Sequence, residues 1–480
     1  MQDVELVTIV PKKKNITKGE FVRLPCIHPV GVSALGRFAG QVARYMRYDN
    51  HGKLLRIDPP KPLVEQMLAM PAQWPFPTIT GICEAPGLRS DFSLLNTEGY
   101  DAQSGRYCDF LGLKIPRITA RPSRRDAERA LQLLLSLVDH FPVKDGASRS
   151  VMVGALITVV VRGCLDVVPM IVISAPDAAN GKTFFVHLCG VVATGQRVPP
   201  ISMSPSAEEF EKRLVMVALE GRQIILIDNI SRVLQSDTLC QLVEQQQCNL
   251  RALGTSVPHI VTNIFSPFVT GINAQLANDL TRRSLRAGLD ANMEKPEEKQ
   301  YRDPLLLEHV LQRRGEVIAA ALTVARYYVG AGRPNLLPPL ASYGDWSDNV
   351  RSALVHLGLP DPCETMKELR RTDPYRMKRG QVFEAWLAAM HSDLAMAGLH
   401  SDQGLHARDL VQSAQAHAEL RDALLEVAKD KTKEVGVTEL GRWLGHNEGS
   451  IALDHKLLCN RENTQKPRWR LVPLSEIGVE

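Results

Sequence analysis

Aromatic side chains make up only 5% of this 480-residue chain, and several diagnostic patterns are missing. The longest apolar stretch runs from Val151 to Val161 and is cut off by Arg162. A membrane span needs about 20 such residues, so this stretch predicts a buried helix, and no membrane partner is expected. The N-terminal MQDVELVTIV has no basic segment followed by an apolar core and a small-residue cleavage site, so export is not expected. Cysteine is odd in number and scattered: Cys26, Cys83, Cys108, Cys164, Cys189, Cys240, Cys248, Cys363 and Cys459, with no CxxC pair. Reduced thiols in a cytoplasm, with neither a zinc site nor a disulfide frame, are the expectation. Charge of one sign is lacking too, with a net of +4 and a pI near 8.5. That excludes a strong electrostatic footprint, so any nucleic-acid contact must come from local patches. No repeat at a solenoid period is present.

What remains is an ordinary globular composition, 44% hydrophobic and 23% charged, in a chain long enough for two to four domains. Residues 1–122 are rich in Pro and Gly with short apolar runs, which predicts a mixed domain of short strands joined by turns. The Lys12, Lys13, Lys14 triplet reads as a solvated loop, with phosphate contact as the functional alternative. From Ser123, a candidate N-cap, Ala130, Leu131, Leu134, Leu135 and Val138 share one helix face. Strands alternating with helices from 165 to 290 predict a mostly parallel sheet, within an α/β core spanning 123–330. A Pro/Gly-rich break near GAGRPNLLPPL marks a lid or linker over 331–380, and 381–480 reads as a helical and winged-helix domain.

The stretch IVISAPDAANGKTFFVHLCGVV places an apolar strand, a loop, Gly-Lys-Thr and a helix in the order of a P-loop. The expected ATP-binding residues are Pro176, Asp177, Ala178, Ala179, Asn180, Gly181, Lys182 and Thr183. Gly181 lets backbone approach the phosphates, Lys182 reaches β- and γ-oxygens, and Thr183 ligates Mg2+ at the positive helix N-terminus. The first motif glycine is replaced by Pro176, and Asn180 is expected to supply the left-handed backbone that closes the loop. Alone, GKT also fits a plain strand-turn-helix. Some 40 residues on, GRQIILIDN ends a buried strand in Asp228, a Walker B pattern that delivers a second oxygen ligand to the Mg2+ held by Thr183. The two in order point to an ATPase.

Asn229 stands where ring ATPases carry a carboxylate that polarises water, and an amide can orient water but cannot take its proton. Glu244 or Asp279 is a candidate substitute. The segment SPFVTGINAQLANDLTRRSL predicts a strand ending near Asn273, a γ-phosphate sensor. Arg282 and Arg283 follow it, as a finger for a neighbour's site or as a surface basic pair.

APDAANGKT, IILIDNISRVLQSDTLC, LRALGTS, VTGINAQLANDLTRRSL and EKPEEKQYRDP together resemble the ATPase part of phage and integrative-element primase-helicases, related to superfamily 3 and AAA+ helicases. The resemblance runs from about 70 to 350. It implies an AAA+-like core, a helicase-associated N-terminal domain, and a ring, such as a homo-hexamer, with ATP sites at subunit interfaces. It also implies MgATP on Lys182, Thr183 and Asp228, sensing by Asn273, Arg282 or Arg283 acting in trans, and Arg351 as a second sensor. Family patterns read Gly-Thr-Gly-Lys where this chain has Ala179, Asn180, Gly181, Lys182, whereas an Asn after the magnesium carboxylate agrees with them. No primase signature is visible, so priming would come from a separate protein. In the C-terminal domain Lys466, Arg468 and Arg470 flank Trp469 on an expected wing strand and are candidate DNA contacts, with a solvated structural cap as the alternative. The leading expectation is an ATP-driven DNA helicase or translocase of a mobile element. The alternatives are an ATP-switch initiator or loader, and a nucleotide-binding structural partner with weak hydrolysis; a small-molecule P-loop kinase is disfavoured.

Overall fold

The computed structural model describes residues 6–17, 20–70, 74–110, 112–251, 258–298, 303–392, 404–460 and 467–477. Its centre is a five-stranded sheet formed by β1 (Met170–Ala175), β2 (Pro200–Ser202), β3 (Ile224–Ile230), β4 (Ser266–Ile272) and β5 (Ser284–Gly288). All are parallel, in the spatial order β2-β3-β4-β1-β5. Every residue of β1 is buried, the mark of a strand covered on both faces. Alternate residues feed two cores: Ile171 and Ile173 face one side, Met170 and Val172 the other.

The first core is built on α1 (Arg124–Val138), α2 (Gly146–Val161), α3 (Lys182–Thr194) and α6 (Arg314–Gly330). Helix α1 starts at a capping box in which Ser123 and Asp126 satisfy each other's backbone N–H. The apolar segment Gly146–Cys164 has the length and composition of a membrane span, but 83% of its apolar window is buried in this core. The second core is closed by α4 (Ala207–Leu219) and α5 (Asp237–Glu244), each N-capped by a serine. An antiparallel hairpin, Gln247–Arg251 with Pro258–Thr262, interrupts the path from α5 to β4. Buried Arg162 anchors that path to the end of α2 by donating to Phe265 O (2.7 Å) and Asn263 O (2.7 Å).

Two expectations need correction. Lys12, Lys13 and Lys14 lie within the strand Val7–Thr17 of a hairpin, not in a loop. The N-terminal region also contains two helices, Val32–Val42 and Lys61–Leu68, the second carrying Pro62 in its first turn, where its missing N–H costs nothing. Within the expected lid or linker segment 331–380, Tyr343, Trp346, Val350, Leu354 and Met366 belong to the first core, and Trp346 Nε1 donates to Thr158 Oγ1 of α2 (2.9 Å).

The C-terminal region has a core of its own, including Phe383, Trp386, Leu440, Leu457 and Trp469. Helices Ala407–Ser413, Ala418–Ala428 and Val437–His446 precede a three-stranded antiparallel sheet of Ile451–Ala452, His455–Asn460 and Arg468–Pro473.

Candidate functional site

The carboxyl edge of the parallel sheet gathers Gly181, Lys182, Thr183 and Asp228. After β1 the chain turns through exposed Pro176, Asp177, Ala178 and Ala179 and enters α3 at Lys182. Two residues adopt left-handed backbone, Ala179 at φ 57° and Gly181 at φ 84°. Asn180, expected in that conformation, is instead a staple. It is 2% exposed, its Oδ1 accepts from Ala291 N (2.9 Å), and its Nδ2 donates to Asp177 O (3.2 Å) and Ala178 O (3.1 Å). The loop is thereby fastened to the segment leaving β5. Gly181 is needed for a second reason: the Phe141 ring lies against it, 3.3 Å from where a side-chain methyl would sit.

Lys182 is 8% exposed and its ammonium donates to Asp177 O (2.7 Å) inside the loop, and burial pulls its pKa down from the ordinary lysine value. Thr183 Oγ1 donates to Asp228 Oδ1 (2.7 Å), and Thr270 Oγ1 of β4 donates to the same oxygen (2.6 Å). Strand β4 lies between β1 and β3, so the hydroxyl at the helix start and the carboxylate on β3 meet across it. The pairing of β3 with β4 slips between Ile227 and Ile230, a bulge that re-aims Asp228 at the loop. Asn229 occupies the bulge at φ 53°, with its N–H donating to Thr270 Oγ1 (2.9 Å). Asparagine tolerates this backbone better than most residues, which gives Asn229 a conformational reason as well as a chemical one. Asn273 lies one residue past β4, exposed and also left-handed at φ 43°, tied to β1 by its N–H on Ala175 O (2.9 Å).

Beside the loop is a cavity of about 380 Å³ lined by Asp139, Phe141, Val143, Asp145, Gly146 and Arg149. Phe141 forms its wall toward the loop, edge-to-face with Phe185 at 5.4 Å. Sequence reasoning missed Phe141, Thr270 and the stapling role of Asn180. Thr270 carries the one signal that could have found it, a hydroxyl inside the apolar run of β4.

The arginines lie at the opposite edge. β5 begins immediately after Arg283, whose carbonyl accepts from Met170 N at the start of β1. At about 3.3 Å per residue, strands of this length hold the two edges roughly 17–20 Å apart. Arg283 is buried and ion-paired with Glu244 and with Asp279 (3.2 Å), so it is not an exposed finger. Arg282 has a half-exposed side chain that pairs with Asp279 at 3.0 Å. Glu244 and Asp279 are thus engaged at the amino edge, and neither serves the Asp228 site of its own chain. Arg351 is likewise committed elsewhere, with Nη2 on Asp361 Oδ2 (2.6 Å) and Nη1 on Pro338 O (2.9 Å).

In the C-terminal sheet Trp469 is buried, and Arg468 and Arg470 alternate with it on the other face of the strand, half-exposed. Lys466 lies outside the described residues. Among the described residues, no group of three or more His, Cys, Asp or Glu side chains could hold a metal.

No protein-family model matches the chain, and no curated protein matches it. Solved structures do: an A-form apo structure of the NrS-1 C-terminal region is 11% identical over 90% of this chain and 93% of its own, with a TM-score of 0.37. A second A-form apo structure of that region is 10% identical over 91% of this chain and 98% of its own, again at 0.37. At these values the likeness decides neither fold nor function, and the chain is described by its own geometry as a mixed α/β protein around a five-stranded parallel sheet.

Proposed function

We propose that the chain is a P-loop ATPase that binds ATP with Mg2+ at the carboxyl edge of the sheet, assembles with copies of itself in a ring, and couples hydrolysis to movement along DNA. The observation that carries the ATPase reading is the Thr183–Asp228 hydrogen bond beside Gly181 and Lys182 at the start of α3. A hydroxyl and a carboxylate oxygen at 2.7 Å can both reach one small, hard cation, and an all-oxygen pair that leaves room for phosphate and water suits Mg2+. When bound, the ion neutralises β- and γ-phosphate charge.

The chain's own groups supply the rest. The N-terminal N–H groups of α3 and the Lys182 ammonium bind phosphate oxygens, with Lys182 exchanging Asp177 O for the anion. Thr270 holds the Asp228 carboxylate in place. The amides of Asn229 and Asn273 orient water without accepting its proton. The cavity lined by Phe141 and Val143 takes the base. An arginine at the amino edge is too far from its own P-loop to touch phosphate there, which favours action on a second copy. Arg282 is the residue free enough to do it, and Arg283 and its carboxylates hold the backbone that presents it.

The DNA part of the reading is supported by Arg468 and Arg470 beside buried Trp469, in a module whose three helices and three-stranded sheet have the order of a winged helix. Asn229, which lacks a base's proton affinity, favours as second reading an ATP switch with slow turnover. The test is ATP hydrolysis with and without single-stranded DNA, beside Lys182→Ala. DNA-stimulated turnover that drops at least a hundredfold in the variant supports the motor. Tight ATP binding with turnover at the variant's level overturns it in favour of the switch.

A further inference from the structure

We propose that Cys83 and Cys108 are a redox pair that closes to a reversible disulfide when the protein meets a hydroperoxide, with Cys83 as the attacking sulfur. The strands Gly81–Cys83 and Arg106–Cys108 are parallel neighbours in which Cys83 is the register partner of Cys108. Residues opposite each other on adjacent strands send side chains to the same face. Their strands lie about 4.7–4.9 Å apart, inside the Cα window of about 4.4–6.8 Å that a disulfide requires. Cys83 packs against the small core formed by Leu95, Cys108 and Phe110. The register thus meets the Cα requirement of a disulfide.

The surroundings distinguish this pair from the other thiols. Arg106 Nη1 lies 3.8 Å from Cys83 Sγ while its Nη2 donates to Gly163 O (3.1 Å), so the guanidinium is fixed beside the sulfur. The neighbouring Cys108 thiol and the charge of Arg106 overcome burial and lower the Cys83 thiol below its ordinary value, while Cys108 is raised, so Cys83 is the more readily ionised of the two. Burial instead pushes Cys164 and Cys363 up to about 12. Cys83 is half-buried and lines a cavity of about 30 Å³ with Glu84, Arg106, Val160 and Gly163. That space fits one or two water-sized molecules, which is the size of a small peroxide. Cys108 is 1% exposed, in the small core against which Cys83 packs.

The Cys83 thiolate attacks one peroxide oxygen, the O–O bond breaks, and the other oxygen leaves as alkoxide or hydroxide that takes up a proton. Cys83 is then a sulfenic acid. Cys108 loses its proton and attacks that sulfur, the S–S bond forms, the S–O bond breaks, and hydroxide leaves as water with the Cys108 proton. Two thiols are oxidised by two electrons, and one hydroperoxide is reduced to an alcohol, or water, plus water.

The proposal is tested on the full chain with stoichiometric hydrogen peroxide, followed by thiol alkylation and non-reducing peptide mapping. The expected result is one linked species joining the Cys83 and Cys108 peptides, a fall in free thiols from nine to seven, and reversal by dithiothreitol. Cys108→Ser should trap a dimedone adduct at Cys83, and Arg106→Gln should slow oxidation several-fold. A thiol count that stays at nine, or linkage through any other cysteine, overturns the pair on the unmodified sequence alone. Dimedone spread evenly over Cys240 and Cys459 overturns Cys83 as the attacking sulfur.

Discussion

Replacing Asn180 by alanine isolates what holds the loop after β1 in shape. The side chain is almost completely enclosed, accepts from Ala291 N at 2.9 Å, and donates at 3.1 and 3.2 Å to two carbonyls of the loop. Of the groups left behind, Asp177 O keeps its bond from Lys182, but the Ala291 N–H loses its partner. A buried group orphaned in this way costs about 1–3 kcal/mol, and the two longer amide bonds add less than a good one each. A total near 2 kcal/mol translates into a Tm lower by roughly 4–8 °C for a domain of 150–250 residues. The loop also loses its tie to the segment after β5, so ADP binding should weaken by about tenfold, equivalent to roughly 1.4 kcal/mol. Asn180→Asp is the sharper comparison. It keeps an acceptor for Ala291 but sets a carboxylate against two carbonyl oxygens, and should be worse than alanine on both measures. Differential scanning calorimetry and ADP titration calorimetry read the two effects separately. A Tm within 1 °C of wild type together with ADP affinity within twofold for Asn180→Ala would falsify the staple.

Other expectations concern residues whose surroundings are equally definite. Ala179 sits at φ 57°, where a side chain costs roughly 1 kcal/mol, so Ala179→Gly should hold or slightly raise Tm while Ala179→Val lowers it by several degrees; the reverse order refutes the left-handed assignment. Arg283→Ala strips Glu244 and Asp279 of their shared cation and should cost about 2 kcal/mol of stability by urea denaturation. Arg282→Ala should stay within about 0.5 kcal/mol of wild type yet reduce turnover at least tenfold in assembled protein, and unchanged turnover removes it as a finger. Arg89 beside Asp101 holds that carboxyl well below its ordinary value of 3.8. This contribution is fully present above pH 3.8 and is lost as pH falls through the lower folded-state value, so Arg89→Leu should flatten the acid limb of stability against pH.

The geometry of the candidate site is legible in the sequence where chemistry and a local apolar run coincide. Gly181, Lys182 and Thr183 follow one buried strand and Asp228 ends another, and both signals are contained within a few residues. Asn180 was placed in the right loop with the wrong role, because its partner Ala291 is 111 residues away and the left-handed turn fell on Ala179. Asn229 read as a missing base until the β3 bulge supplied a backbone reason for an asparagine. Burial of Arg283 could not be seen locally, since Glu244 approaches it from α5, 39 residues earlier. In the first 70 residues, prolines and glycines read as punctuation and hid two helices, one of which uses its proline in the first turn, where proline is harmless.

Trp346 is the counterpart of a key in a shaft. Its indole bond to Thr158, deep in α2, and the burial of Tyr343, Val350 and Leu354 in the same core remove any slack between the segment after α6 and the sheet that carries the loop. Strain generated at Lys182 or Asp228 has no soft joint there in which to dissipate. Under the ring assembly proposed above, a load at the loop would pass through this rigid body and emerge as displacement where one copy meets the next.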